Sequence, residues 1–149
     1  MSKRYSSSDS DSERQRSCSV RVLIVDDHEP WRRWVGSELG SQQQLQVVGE
    51  ASDGLEAVHK AHELKPDIIL LDIGLPNLNG LDAAKRITQS TPDSKIILLT
   101  AQNDSDLAKQ ALENGATGYV LKADAKTELL AAIAAVIQDL FFVSRRLGM

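Results

Sequence analysis

At 149 residues and 42% apolar content, the chain has room for one globular domain with a real core. A formal net charge of −4 argues against a broad basic surface for nucleic acid. No apolar run approaches the ~18 residues that a membrane-spanning helix needs, and the single Cys18 excludes an internal disulfide.

In chain order, residues 1–19 read as a disordered Ser-rich tail. Eight of the nineteen are Ser, charges of both signs nearly cancel, and nothing there could anchor a core. The segment lacks the apolar stretch of a signal peptide. From Val20 onward strands and helices alternate. The first strand is Val20 to Val25, and it ends in Asp26-Asp27. Pro30 opens a first helix in which Trp31, Trp34, Val35 and Leu39 form one apolar stripe, with Arg32 and Arg33 facing away. The Trp pair sits on the helical period and reads as core rather than as a stacking platform for bases. Gly40 ends this helix. Leu45 to Val48 is a shorter, less apolar strand, expected at the sheet edge. Asp53 with Glu56 three residues on makes a capping-box-like start for a second helix, running to about Leu64. His59 and His62 lie on it at i and i+3. Without Cys or carboxylate partners in register, they read as solvated surface rather than a metal site.

Ile68-Ile69-Leu70-Leu71 runs unbroken between Pro66 and Gly74 and stops at Asp72. Such a run predicts a strand buried on both faces. Asn79 caps a third helix from Gly80 to about Ser90, broken by Pro92. A fourth strand, Lys95 to Leu99, ends at Thr100. A fourth helix runs from about Ser105 to Asn114, with Gly115 as its stop. A fifth strand, Gly118 to Leu121, ends at Lys122. The last helix starts near Asp124 and runs to about Leu140, with Leu129, Ile133, Val136, Ile137 and Leu140 as its core stripe. Leu130, Ala131, Ala134 and Ala135 leave a second, shallow apolar surface, either helix-forming filler or a partner face. The domain is expected over residues 20–140, with 141–149 as a C-terminal tail or the start of a linker.

Five βα units predict an α/β, doubly wound parallel sheet of five strands. The order 2-1-3-4-5 puts the reversal between the first and third strands. Asp26, Asp27 and Asp72 then meet at that point, with Thr100 and Lys122 on the same rim. Three crowded carboxylates repel, so either one stays protonated or a cation sits between them. Mg²⁺ suits such an all-oxygen site. An ammonium and a hydroxyl beside it complete a cradle for a phosphoryl group in transfer, with Asp72 as the nucleophile that becomes an acyl phosphate. A plain ion pair between Lys122 and one Asp explains two residues and leaves the others idle. A flavodoxin-like mononucleotide binder would want hydroxyls and glycines where this chain has Asp26-Asp27-His28-Glu29-Pro30. A phosphatase of the haloacid-dehalogenase pattern would want an Asp where Gly74 stands. A Walker-type nucleotide site is absent.

The Asp26-Asp27 pair, Asp72 followed by Leu75-Pro76 and Asn79-Gly80, Thr100-Ala101, and Gly118-Tyr119-Val120-Leu121-Lys122 together resemble the receiver domain of two-component response regulators. The match covers about Val20 to Leu140. The resemblance implies a flavodoxin-like (βα)5 fold in which Asp72 takes a phosphoryl group from a sensor histidine kinase or phosphotransfer protein. It implies Mg²⁺ bound directly by Asp27 and Asp72, by Asp26 mainly through water, and by the Gly74 carbonyl. It assigns Lys122 and Thr100 to phosphoryl oxygens, and makes Thr100 and Tyr119 a switch that re-shapes the face of the fourth helix, fifth strand and fifth helix. That face would take an effector or a second copy of the chain. The expected protein is a cytoplasmic signalling phosphoacceptor rather than an enzyme, apart from self-phosphorylation and self-dephosphorylation. It would touch neither membrane nor nucleic acid directly.

His28-Glu29-Pro30 after the Asp pair and Ala123 after Lys122 resemble the NarL/LuxR-type subfamily. Phe142-Val143-Ser144 resembles the segment that leads to that subfamily's helix-turn-helix, but the chain stops at Met149 without such an output domain. Gly74 and Gln102 stand where the family tunes hydrolysis of the acyl phosphate. Two readings therefore stay open: a phosphorylation-controlled interaction module, or the regulatory half of a DNA-binding transcription factor.

Overall fold

The computed structural model describes residues 19–147. The Ser-rich tail up to Cys18 and the final two residues lie outside the described residues. In chain order the elements are β1 (Val20–Val25), α1 (Glu29–Gly40), β2 (Leu45–Ala51), α2 (Gly54–Leu64), β3 (Ile68–Asp72) and α3 (Gly80–Ser90). There follow β4 (Lys95–Thr100), α4 (Ser105–Glu113), β5 (Gly118–Leu121), a 3₁₀ turn (Lys122–Asp124), α5 (Ala125–Ile137), β6 (Phe142–Val143) and a closing 3₁₀ turn (Arg145–Leu147). All strands are parallel, in the order β2-β1-β3-β4-β5-β6.

The continuous apolar runs follow from helices on both faces of the sheet. Leu23, Val25, Ile69, Leu71, Ile96 and Leu98 face α2, α3 and α4. Their neighbours Val22, Ile24, Ile68, Leu70, Ile97 and Leu99 face α1 and α5. Successive residues of a strand point to opposite faces, so a strand covered twice has no place for a polar residue until it leaves the core. Small residues bring the helices close: Ala57 and Ala61 on α2, Ala83 and Ala84 on α3, Ala108 and Ala111 on α4 are all buried.

Caps set the helix starts. The Asp53 carboxylate accepts the Glu56 N–H at 2.7 Å, and the Asn79 carbonyl oxygen accepts the Asp82 N–H at 2.9 Å. The reciprocal half of the α2 capping box is displaced by one residue, since Glu56 accepts the N–H of Ser52 at 2.7 Å. Gly115 stops α4 with φ of 102°, a conformation that residues with a Cβ avoid.

Five points depart from the sequence reading. The sheet has six strands rather than five. Phe142 and Val143 pair with Gly118 and Tyr119, and their side chains fall on opposite faces, one against each core. Asp124 makes no side-chain cap bond; its carboxylate takes a guanidinium nitrogen of Arg146 at 2.7 Å instead. The helix α5 ends at Ile137, because the chain turns through Asp139 with φ of 64°. Ile137 and Leu140 are therefore 42% and 56% exposed, not core. Last, β2 reaches Ala51, past a register shift opposite Val22 and Leu23 that breaks its apolar pattern. It does lie at the sheet edge, as expected.

Candidate functional site

The chain leaves the core at one rim. Val25 pairs with Leu71, Leu71 with Leu98, and Thr100 with Leu121. That register brings Asp26, Asp72, Thr100 and Lys122 to neighbouring strand ends, and α1 and α3 start beside them.

Asp26 is 1% exposed and fully engaged. One carboxylate oxygen accepts the His28 N–H at 2.8 Å, and the other accepts Lys122 Nζ at 2.6 Å. The first bond is an Asx-type turn that ties the strand end to the start of α1. Asp72 is 8% exposed and lies 3.6 Å from the same ammonium. Asp27 is exposed at the mouth. One oxygen from each of the three aspartates lies within 4.8 Å of the others. Burial pushes the Asp72 carboxyl up; Lys122 and the Gly74 backbone N–H oppose the shift, while the charges of Asp26 and Asp27 add to it. One ammonium cannot balance three carboxylates. The remaining negative charge and the all-oxygen donor set fit a hard divalent cation such as Mg²⁺.

Gly80 is what lets α3 start against this strand end. A Cβ there would sit 2.2 Å from the Asp72 carbonyl oxygen and 2.6 Å from Ile73 Cα. Its N–H donates to the Ile73 carbonyl at 2.7 Å. Pro76 and Asn77 complete the loop, with Asn77 at φ of 67° donating from its amide to Asp53 at 3.0 Å.

Thr100 is buried, and its hydroxyl oxygen accepts the Gln102 N–H at 3.1 Å, leaving its own proton free to donate. Tyr119 is completely buried in the core under α2, α3 and α4, and its hydroxyl makes no hydrogen bond. Burial pushes its phenol up; the Thr100 hydroxyl opposes this shift without meeting it in hydrogen-bonding geometry. A buried donor without a partner is costly, so this hydroxyl carries an unmet hydrogen bond in the structure.

The structure brings together Asp26, Asp27, Asp72 and Lys122 and places Thr100 one strand away. It also adds two residues that the sequence reading set aside. Arg32 does not face away. It donates to the Asp26 carbonyl at 2.6 Å and to Glu50 at 2.8 Å. Trp31 packs partly against the core, as expected, but its ring also lies 5.0 Å from Lys122 Nζ. Both belong to the first turn of α1, and its position directly after the Asp pair was the available signal. His59 and His62 are exposed and join no metal-ligand cluster among the described residues.

Comparison with known proteins agrees with this geometry. The family model described as the response regulator receiver domain matches residues 22–134. The transcriptional regulatory protein LiaR of Bacillus subtilis is 42% identical over 116 residues, covering 78% of this chain and 55% of that protein. The response regulator VraR of Staphylococcus saprophyticus is 37% identical over 114 residues, covering 76% and 54%. The chain thus spans about half the length of these curated relatives. A LuxR-family two-component response regulator from Aurantimonas superposes with a TM-score of 0.84 at 32% identity, over 87% of this chain and 93% of that one. With the acidic strand-end cluster, the parallel α/β sheet and the family match all falling on the same residues, the chain belongs to the response regulator receiver family, in its NarL/LuxR-type branch.

Proposed function

We propose that Asp72 is the phosphoacceptor of a two-component phosphorelay. One observation carries this reading: Lys122 pairs closely with Asp26 at 2.6 Å but stands 3.6 Å from Asp72. Asp72 thus keeps its lone pairs at the rim while an ammonium waits beside it. An Asp72 oxygen attacks the phosphorus of a phosphohistidine on a sensor kinase or phosphotransfer protein. The new P–O bond forms as the P–N bond breaks, and its electron pair returns to the imidazole, which takes up a proton. Water later cleaves the acyl phosphate at phosphorus, releasing inorganic phosphate and restoring the carboxylate.

Asp26, Asp27, Asp72 and the Gly74 carbonyl would hold Mg²⁺. When bound, the ion neutralises charge on the transferring group. Lys122 moves from Asp26 toward a phosphoryl oxygen, and Thr100 donates its free proton to another. Tyr119, beside Thr100 and paired through its backbone with β6, carries that movement to the α4–β5–α5 face. Partners there are an effector or a second copy of the chain.

A second reading has its own support. Curated relatives such as the transcriptional regulatory protein LiaR are nearly twice as long as the matched region. In that case the chain is the regulatory part of a DNA-binding regulator. Both readings share the same chemical test. Acetyl phosphate with Mg²⁺ should add one phosphoryl group to the protein and none to Asp72→Asn, as read by intact mass. Undiminished labelling of the Asn variant would refute the assignment.

A further inference from the structure

Lys122 reaches its carboxylates from the far side of the sheet. It follows β5, whereas Asp26 follows β1, and β3 and β4 lie between. At the usual strand spacing of about 4.8 Å, β1 and β5 stand roughly 14 Å apart, a gap that the extended Lys122 side chain, the Asp26 carboxylate and the bond between them close together. Asp26 is the wrong anchor for chemistry, since the ammonium must leave it to meet an incoming phosphoryl group. Besides Asp26 and the more distant Asp72 at 3.6 Å, the ammonium has Trp31 beside it. The ring stands in the first turn of α1, propped by Trp34 with centroids 5.1 Å apart and planes at 32°, and its centroid lies 5.0 Å from Nζ. Lys122 is 22% exposed, so this contact is partly shielded from water. A ring face attracts a cation without the sharp directionality of a carboxylate, so the ammonium can slide across it and stay bound.

Resting on the phosphoacceptor reading above, we propose that Trp31 is a positioning residue for phosphoryl acceptance. Its ring face keeps the Lys122 ammonium over the acidic site while that ammonium exchanges Asp26 for a phosphoryl oxygen. Trp31 touches no reacting atom and acts through Lys122.

The test is the rate of acetyl phosphate-driven phosphorylation across donor concentrations at saturating Mg²⁺. Trp31→Leu should slow the limiting rate about 2- to 30-fold, the range that ~0.5–2 kcal/mol of cation–π energy gives at 1.4 kcal/mol per tenfold. Trp31→Phe should recover most of that loss, and the Mg²⁺ titration midpoint should not move. Leu and Phe variants slowed equally, or a Leu variant as fast as the parent, would overturn the proposal. If the Leu variant does not fold, the decisive series is Trp34→Phe protein carrying Trp31 with increasing fluorination, which drains the ring face at nearly constant shape. The rate should fall with each fluorine; a flat series would overturn the role of the ring. Asp72→Asn runs alongside. Label lost in that variant with a flat fluorination series sinks Trp31 alone, whereas label surviving in it sinks the phosphoacceptor reading itself.

Discussion

The surroundings of Asp72 disfavour its charge, and Lys122 and the Gly74 N–H offset this only in part. Burial and two neighbouring carboxylates raise its carboxyl above the ordinary 3.8. The folded state therefore binds that proton more tightly than the unfolded chain does. Stability falls as pH rises from 3.8 through the folded titration, and above it the whole penalty is present. Asp72→Asn removes the penalty. In metal-free buffer at pH 7 the Asn variant should melt above the parent, and the two should converge below about pH 4. Calorimetry across that range checks the sign, and a lower melting temperature for the Asn variant at pH 7 would refute it. Gly80 is the second residue whose role is set by a single contact. Gly80→Ala drives a methyl to 2.2 Å from the Asp72 carbonyl. Backbone lines that space and cannot swing away, so the expected cost is about 1–3 kcal/mol or more. Denaturant unfolding measures it, and the slower labelling of Asp72 in the same variant reports the displaced strand end.

Among elements, β6 departs most from a five-stranded receiver. It is only two residues long and pairs in parallel with Gly118 and Tyr119; at its ends Phe142 N–H donates to Thr117 and Ser144 N–H to Tyr119. Ser144 then fastens it. The residue is 1% exposed, and its hydroxyl accepts the Leu121 N–H at 2.8 Å and donates to Glu128 on α5. The segment thus covers the edge of the strand that carries Tyr119 and leads into Lys122. Ser144→Ala would strand the buried Leu121 N–H, an expected loss of about 1–3 kcal/mol. Hydrogen exchange gives the local readout: the Leu121 and Ser144 amides should lose protection while those of β1 and β3 keep theirs. Equal protection in both proteins would show that the hydroxyl does not hold the strand.

On the scale of the whole molecule, the acidic rim couples folding to ligand. A cation that binds the folded cluster stabilises it by mass action, about 2.7 kcal/mol at a hundredfold excess over its dissociation constant. Melting temperature should rise with millimolar Mg²⁺, and Asp27→Ala should blunt the rise. An unchanged melting temperature in the parent would count against the site. The five helices all cover the sheet, and no helix among the described residues is long and apolar enough to cross a membrane. None is free to enter a DNA groove, and the net charge is −4. This chain should give no sequence-selective gel shift, with or without beryllofluoride as a phosphoryl mimic. Sedimentation should instead show changed association on adding the mimic. Salt-resistant selective binding to DNA would overturn the interaction-module reading.

Local physics made much of this protein legible from its residues. A strand covered on both faces must be a short continuous apolar run, and each run announces its rim by the first polar residue, which is how Asp26, Asp72, Thr100 and Lys122 could be found. Side-chain caps such as Asp53 and Asn79 act within a few residues, so they too were readable. Tertiary structure alone decided the rest. Phe142 and Val143 are too few to show a period, and only the open edge of β5 makes them a strand. The Ala-rich run of α5 has no helix-breaking residue near Ile137, so its end depends on where the chain must turn to reach that edge. Lys122 meets Asp26 across 96 residues of chain. Which carboxylate it chooses, and that Trp31 lies beside it, follows from the docking of α1 on the sheet, because a ring on an apolar stripe looks like core until the helix is set in place.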